Sequence, residues 1–575
     1  MDIKPIIVRE YLESLTEDGE LDYIFPLFLE SQGFIILSKP TESKGVSQYG
    51  KDVVAVGVDF EDGIEKRFYF ELKGGGDRHI TPSTYAKEDG VRMSLYEAKD
   101  RKFEFTNKEH EKLPLKIVLV HNGELKASIK DTFEGFIRQH FPPEDGIEFD
   151  RWGISELTRL FSERFFGEYL LVDRESTRLF NKTLVNLDAE DGVSVNFIRL
   201  LDVMFGKMQK ECRTPLSREW KMLFESLRLV GFIVYTEAKS YNNLDIAKRY
   251  LTCLVLRFWY WILKHKLEAN RSVTAYFDKV LHLYTDVMAE YFQRTLPVAN
   301  LPDGLYAEAG GTYEQLGYTF RTFGYIQYLC WFIKVFAGEK NRKEMVQKLL
   351  VPVLNHNSVS GRPLLDIHSI PVTDVLLLLI EVGELQSARN YLYKVLSYIK
   401  LGKEKYGRMP DANNQEKSVI KFILTKEKPI YYSDTTSLLL AVLMEFTAIL
   451  DMGGLYNEMK AFIHQFKIDL GIFVPHHGEY STSKNLIENP EDDLEEQLFS
   501  KEFFNDGYQR SISLYKGLEG ELSFEDFRQE FMEREEEFTY IYRTDKAGYS
   551  YLRDLAHIYF RTPYFPDKWR GISGK

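Results

Sequence analysis

The pattern of hydrophobic and polar residues changes character about a third of the way along the chain. Up to roughly residue 175, short runs rich in β-branched and aromatic residues recur with turn-forming segments between them. Segments of helical period lie beside these runs. The alternation predicts an α/β domain with strands Phe34–Leu37, Asp52–Val58, Arg67–Lys73, Lys116–His121 and Ile147–Trp152 and helices Leu21–Gln32, Asp89–Phe103, Thr132–His140 and Ser155–Phe165.

From about Val193 onward, apolar residues recur at intervals of three and four in long blocks, which is the period of an amphipathic helix. The segment Leu376–Leu396 contains two such blocks separated by Gly383, and it predicts a helical hairpin. We therefore predict an α/β domain at 1–180 and a large all-α region at 181–575, with a sub-boundary near 340–370. Helical-hairpin repeats remain an open alternative for this region, because no fixed repeat period is present.

The composition is that of a globular protein with a large core. Of the 575 residues, 44% are hydrophobic and 28% are charged, so the chain can bury enough apolar surface to fold. The 87 acidic side chains outnumber the 74 basic ones and give a formal net charge of −13. We therefore expect any contact with nucleic acid to be local.

Cysteine use and hydropathy predict a cytoplasmic protein without a membrane partner. Cys212, Cys253 and Cys330 form no CxxC pair, so neither a disulfide framework nor a zinc ribbon is expected. The amino end carries charges every few residues, unlike a secretory signal. Apolar stretches such as Leu251–Leu263 are shorter than the about 20 residues that a spanning helix needs.

The segment Gly45–Gly76 carries the most specific chemistry. Its beginning, GVSQYGKD, resembles the phosphate-binding pattern GxxxxGK[ST], which requires a hydroxyl residue at the last position and a helix directly after it. Here Asp52 takes that position, and the residues that follow are β-branched and typical of a strand. The phosphate-loop interpretation therefore fails.

Asp52, Glu71 and Lys73 are instead placed to form a metal site. Side chains alternate along a strand, so Glu71 and Lys73 share one face, and a hairpin turn centred on Glu61-Asp62-Gly63 would bring Asp52 beside them. Two converging carboxylates repel each other unless a divalent cation lies between them, and such oxygen ligands suit Mg²⁺ or Mn²⁺. The opposite, buried face of the strand is then formed by Phe68, Phe70 and Leu72.

The motif G-K-D-(x18)-E-L-K resembles the core of the PD-(D/E)XK, restriction-endonuclease-like nuclease superfamily. The resemblance covers about 150–170 residues and implies a mixed, four-stranded central sheet flanked by helices. It implies that Asp52, Glu71 and the backbone carbonyl of Leu72 bind the metal ion. Lys73 would position the attacking water. Lys51 stands where most members of the superfamily have proline.

Many members of this superfamily also carry a glutamate on the first helix. Glu20 is nearest to the expected position, and Asp22 and Glu30 are alternatives. The acid-x-Lys triplet is common in this chain, as in Glu97-Ala98-Lys99, so the triplet alone is not specific. A surface hairpin with a simple ion pair is therefore the competing interpretation of the motif.

The sequence thus predicts a Mg²⁺- or Mn²⁺-dependent phosphodiesterase, most simply a DNA endonuclease acting as a restriction or anti-phage effector. One alternative is a non-catalytic helical scaffold that binds protein partners through a nuclease-like docking domain, and another is a nuclease acting on RNA. The expected partners are nucleic acid, with DNA favoured over RNA, and either further copies of the chain or a protein of the same system. Residues 73–130, with 12 basic against nine acidic side chains, could line a groove for the phosphate backbone.

Overall fold

A computed structural model describes residues 4–38, 51–142, 144, 146–165, 174–188, 192–206, 212, 216–306, 314–473, 494–500, 512–514, 522–533 and 542–572. The chain divides into two compact units, at 1–250 and 251–575. The first holds a five-stranded mixed sheet with helices, and the second is mostly helical, so the predicted fold class is confirmed. The boundary predicted at 180/181, where the pattern turns helical, stays a prediction.

All five strands predicted in the first unit are present. They lie in the sheet in chain order, with β1/β2 and β2/β3 antiparallel and β3/β4 and β4/β5 parallel. The sheet is mixed, as the resemblance implies, but it has five strands and not the four that the resemblance implies. The strands are β1 Ile35–Ser38, β2 Val53–Val58, β3 Glu65–Lys73, β4 Leu115–His121 and β5 Ile147–Trp152.

The helices of the first unit include the four predicted from the sequence. A π-helical turn, Glu17–Leu21, joins the first two helices, and another, Phe161–Phe165, extends the seventh. The helices are α1 Lys4–Ser14, α2 Asp22–Ser31, α3 Pro82–Ala86, α4 Val91–Asp100, α5 Lys108–Glu111, α6 Ala127–His140, α7 Ile154–Leu160, α8 Arg174–Val185, α9 Val195–Gly206 and α10 Arg218–Ser240.

Both faces of the sheet are covered, which explains why its central strands are nearly continuous hydrophobic runs. On one face, Phe25 of α2 packs against Phe70 and Trp152, with ring centroids 5.1 and 6.1 Å apart. On the other face, Tyr69 of β3 belongs to a buried cluster with residues of α4 and α6. Every residue of β4 is buried, including the polar residues Lys116 and His121.

The second unit begins at Leu251, inside the helix α11, Leu244–Lys264. Among the described residues, no helix combines the length and the apolar character that crossing a bilayer would need. The further helices are α12 Arg271–Ala299, α13 Glu314–Phe336, α14 Glu339–Met345, α15 Val351–His356, α16 Ser369–Glu381, α17 Leu385–Tyr406, α18 Glu416–Thr425, α19 Leu438–Ile449, α20 Gly453–Phe466, α21 Leu494–Ser500, α22 Phe524–Glu533, α23 Arg543–Lys546, α24 Tyr551–Phe560 and α25 Asp567–Arg570.

The helical hairpin predicted around Gly383 is present. Gly383 adopts a φ of +78° after α16, and its N–H donates to the carbonyl of Ile380 at 3.0 Å. The N–H of Glu384 donates to the carbonyl of Leu379 at 2.8 Å, which completes a Schellman motif. The glycine therefore ends one helix and lets α17 turn back along it.

A small sheet in the second unit was not predicted. β6 Thr436–Ser437 runs parallel to β7 Asp469–Phe473, which is antiparallel to β8 Ile512–Leu514. These strands have two, five and three residues, so they are too short to show a period in the sequence.

Candidate metal centre

The predicted hairpin between β2 and β3 brings Asp52 to the end of β3. Its turn is closed by the N–H of Asp59, which donates to the carbonyl of Ile64 at 2.9 Å, and Gly63 takes a φ of +74°. Val53 pairs with Phe70 across the two strands, and the N–H of Asp52 donates to the carbonyl of Phe70 at 2.9 Å. The antiparallel register therefore carries Asp52 alongside Glu71.

The carboxylate of Asp52 is held by the backbone of the strand that carries the motif. The N–H of Leu72 donates to Asp52 Oδ2 at 2.7 Å. Burial and the negative charge of Glu71 raise the pKa of Asp52 well above its usual range, and the Leu72 hydrogen bond and Lys73 only partly oppose this. The carboxylate of Asp52 thus lies buried beside a second carboxylate, that of Glu71.

Lys73 pairs with the second of these carboxylates. Its Nζ lies 2.7 Å from Glu71 Oε1 and 3.9 Å from Glu17 Oε1. Burial lowers the pKa of Lys73, but the charges of Glu71 and Glu17 outweigh burial and raise the pKa above its usual value. Lys73 therefore keeps its proton.

Glu17, which the sequence analysis did not single out, is the acid of the amino-terminal segment that reaches this site. The N–H of Gly74 donates to Glu17 Oε2 at 2.9 Å, and a Cβ at Gly74 would lie 2.8 Å from the backbone nitrogen of Glu17. A glycine at position 74 lets the two segments approach this closely. Glu17 stands in the π-helical turn before α2 and not on the helix, so its place was not visible in the periodicity.

Glu20, the residue assigned from the resemblance, makes different contacts. Its Oε2 accepts hydrogen bonds from the N–H of Thr16 at 2.8 Å and from the Thr16 hydroxyl at 3.0 Å. Its Oε1 pairs with the guanidinium of Arg228 on α10. Burial raises the pKa of Glu20, but Arg228 and Thr16 outweigh this effect and lower it. The structure thus ties Glu20 to Arg228, and its assignment to the metal site stays a prediction.

The donor set at Asp52 and Glu71 fits a hard divalent cation. Within the described part of the chain, Asp52 Oδ1 and Glu71 Oε2 accept no hydrogen bond. Two carboxylate oxygens, together with the carbonyl of Leu72 that the resemblance adds, are the oxygen ligands that Mg²⁺ and Mn²⁺ prefer. A cation bound there would offset the repulsion that raises the pKa of Asp52.

The neighbouring strand ends add fixed polar groups beside Lys73. His121 pairs with Lys73 in the register of β3 and β4. Its Nδ1 donates to the carbonyl of Arg78 at 2.9 Å, and its Nε2 accepts from Arg151 at 2.9 Å, because a guanidinium can only donate. Burial, with a smaller contribution from Arg151, lowers the pKa of His121 to about 4, so the imidazole is neutral near pH 7.

A second group of carboxylates lies at the opposite end of β3. Oxygens of Asp59, Asp62 and Glu148 fall within 4.8 Å of one another, so this group could hold a divalent ion. The ammonium of Lys66 lies among them, 2.9 Å from Asp59, 2.5 Å from Asp62 and 2.6 Å from Glu148. Lys116 approaches the same Asp59 oxygen at 3.1 Å. A divalent ion would have to displace Lys66.

Comparison with known proteins gives no family for this chain: no family model, no curated protein and no solved structure matches it.

Proposed function

We propose that the first unit hydrolyses phosphodiester bonds of nucleic acid in a reaction that depends on Mg²⁺ or Mn²⁺. The observation that carries this proposal is the meeting of three side chains from two neighbouring strands. Asp52 Oδ2 is anchored on the Leu72 N–H, and Lys73 Nζ lies 2.7 Å from Glu71 Oε1. The resemblance to the PD-(D/E)XK motif, on these same residues, supports the assignment.

Asp52 and Glu71 would bind the cation, with the carbonyl of Leu72 as a third ligand. A divalent ion held there would polarise a phosphate oxygen and lower the pKa of a bound water. The hydrogen bond from Leu72 fixes the carboxylate of Asp52 before any ligand arrives, so little reorganisation is needed.

Lys73 would act as a hydrogen-bond donor. In the metal-free protein, Glu71 and Glu17 raise its pKa, so the ammonium is protonated at neutral pH. It can then orient a water molecule or bind a non-bridging phosphate oxygen. Glu17 and Glu71, which flank the ammonium at 3.9 and 2.7 Å, hold it in place for this task.

The substrate is proposed to be DNA rather than RNA, with exposed basic residues of 73–130, such as Arg92 and Lys102, lining the path of the phosphate backbone. The mostly helical second unit would sense a trigger or assemble several copies. That division of labour is typical of restriction and anti-phage effectors, and this last step rests on analogy of architecture.

The test is cleavage of supercoiled plasmid by the full-length protein in Mg²⁺, Mn²⁺ or EDTA. We expect cutting with either metal and none in EDTA. Asp52→Asn, Glu71→Gln and Lys73→Met should each lower the rate by about 10²-fold or more, because each removes an electrostatic contact to the reacting phosphate or its metal. Asp62→Asn is the matched control, since Asp62 belongs to the other carboxylate group and is 39% exposed.

Parallel incubation with single-stranded and structured RNA of the same length separates the two substrates. Cutting of RNA alone would replace DNA with RNA in the proposal. Wild type and variants that are equally inert with every metal and both substrates would overturn catalysis and favour the non-catalytic docking domain.

A further inference from the structure

The second unit carries a surface on which exposed aromatic and basic side chains occur together. It is formed by the end of α17 and by the loop after α18, and we call it the basic aromatic surface. Its members are Lys405, Tyr406, Arg408, Lys426, Ile430 and Tyr431.

Hydrogen bonds and an ion-pair cluster hold these two segments side by side. Lys403 and Lys428 pair with the same carboxylate, that of Asp434. The N–H of Met409 donates to the hydroxyl of Tyr432 at 3.0 Å. Because these contacts join residues 403–409 to residues 428–434, the surface is one patch built from two segments.

Three large side chains of this patch are open to solvent. Ile430 is 95% exposed, Tyr431 is 72% exposed and Tyr406 is 52% exposed. The loop is nevertheless ordered by its backbone, since the carbonyl of Tyr431 accepts a hydrogen bond from Asn413 at 3.0 Å. Exposed apolar side chains that form one patch are typical of binding surfaces.

The same patch is positively charged in a chain whose net charge is −13. Residues 400–434 contain eight Lys or Arg against five Asp or Glu. Two of the acids are already used: Asp434 pairs with two lysines, and Asp411 is buried and accepts three backbone N–H groups.

The cations of the patch, unlike these two acids, are not paired within the described part of the chain. Lys405, Arg408 and Lys426 form no ion pair with any described residue. Lys405 and Arg408 lie against the ring of Tyr406, at 5.5 and 5.1 Å from its centroid. Their charge is therefore available to a ligand, beside an aromatic face.

We propose that the basic aromatic surface binds single-stranded nucleic acid. Bases would stack on Tyr406 and Tyr431, and Lys405, Arg408 and Lys426 would contact the phosphates. The combination favours a single strand, because a duplex offers phosphates but hides its base faces, and an acidic peptide offers charge but few groups that stack. The inference goes beyond the proposed nuclease activity, since it concerns other residues in the other unit.

The test is binding of a fluorescent 20-nucleotide oligo-dT, and of oligo-U, to the full-length protein in EDTA, measured by anisotropy. EDTA removes metal-dependent cleavage from the experiment. We expect binding, and we expect Tyr431→Ala to weaken it about tenfold, as for loss of one stacked base. Tyr431→Phe, which keeps the ring, should bind like wild type. Tyr393→Ala is the matched control, since Tyr393 is a 56% exposed tyrosine on α17 outside the patch.

A second arm tests the charges. Lys405→Gln combined with Lys426→Gln should reduce the dependence of log affinity on log salt by about 0.7 for each cation that contacts a phosphate. Lys348→Gln, at a lysine whose side chain is 70% exposed on another part of the unit, should leave the slope unchanged.

Three outcomes would overturn the proposal. One is equal binding by Tyr431→Ala and Tyr393→Ala. Another is a duplex of the same sequence bound as tightly as the single strand. The third is competition by poly-glutamate as effective as competition by unlabelled oligo-dT, which would identify an acidic protein as the partner.

Discussion

Carboxylates and lysines lie at both ends of β3, but the buried aspartates at the two ends have different partners. At the start of the strand, Lys66 and Lys116 both contact Asp59, at 2.9 and 3.1 Å. At the far end, no ammonium of a described residue contacts Asp52 directly, and Asp52 Oδ2 accepts a hydrogen bond from the N–H of Leu72. Clustering of carboxylates by itself favours the first group as a metal site, whereas the second group contains the aspartate whose pKa is raised, Asp52.

The pKa values of the two aspartates express this difference. Burial raises the pKa of Asp59, but hydrogen bonds from Lys66 and Lys116 outweigh burial and lower it. Burial and Glu71 raise the pKa of Asp52. The comparison teaches that lysines of the protein itself can neutralise clustered carboxylates, so clustering alone does not identify a metal site.

The largest expected effect on stability is at the carboxylate group of Asp59, Asp62 and Glu148, which surrounds Lys66. Lys66→Met should lower the free energy of unfolding by about 3–5 kcal/mol, because it leaves the buried Asp59 without one of its two lysines. Lys130→Met is the control. Lys130 is 60% exposed and lies 3.9 Å from Glu134, so its loss should change the free energy by less than about 1 kcal/mol. Equal effects of the two variants in urea unfolding would show that Lys66 does not act as the internal cation.

The second prediction is that replacing the two aspartates by asparagine changes the stability of the protein in opposite directions. In metal-free buffer at pH 7, Asp59→Asn should destabilise the protein by about 1.5–3 kcal/mol, because it weakens charge-assisted hydrogen bonds to Lys66 and Lys116. Asp52→Asn should instead stabilise it, because it removes a buried charge beside Glu71 while an amide oxygen can still accept from Leu72. Thermal unfolding of the two variants beside wild type measures both.

The directions of the two pKa shifts predict how the stability effects of Asp59→Asn and Asp52→Asn depend on pH. The folded pKa of Asp59 is lowered, so its contribution to stability is present above the unfolded pKa and is lost as the pH falls through the folded pKa. The folded pKa of Asp52 is raised, so its contribution is present below the unfolded pKa and is lost as the pH rises through the folded pKa. The differences in stability between each asparagine variant and wild type should therefore become smaller in acid. The same sign for both variants at pH 7 would contradict the comparison.

A smaller effect on stability is expected at Gly74, where the backbone of Glu17 approaches the end of β3. Gly74→Ala should lower the free energy of unfolding by about 1–3 kcal/mol, because its Cβ would meet the backbone of Glu17 at 2.8 Å. Gly76→Ala, two residues on, has open space around the added carbon and should be nearly neutral. If the two alanine variants unfold alike, the close approach of Glu17 to the end of β3 is not as described.

The strands of the first unit could be predicted because each combines a β-rich run with a clear turn. The turn around Gly63 and the break at Gly383 were visible because glycine marks positive φ in both cases. The small sheet in the second unit could not be predicted, since strands as short as Thr436–Ser437 leave no period. Such short strands form because they pair with segments that are distant in sequence, and this pairing leaves no local sequence pattern.

Only those residues of the site that follow from strand alternation and from the hairpin could be predicted. Glu71 and Lys73 share a face by period, and the hairpin added Asp52. Glu17 was missed because it arrives from a π-helical turn, against a glycine whose role is a long-range approach. The role of Lys66 was missed as well, because Lys66 and Glu148, which lie on different strands, are 82 residues apart in sequence.

The most direct test of the central claim is a Mn²⁺ titration followed by thermal unfolding of wild type, Asp52→Asn and Asp62→Asn. Binding to the folded protein alone raises stability by about 2.7 kcal/mol when the free metal is 100 times the dissociation constant. The account predicts that Mn²⁺ raises the melting temperature of wild type and Asp62→Asn and leaves Asp52→Asn unchanged. A shift that survives in Asp52→Asn and disappears in Asp62→Asn would place the metal at the other end of β3 and contradict it.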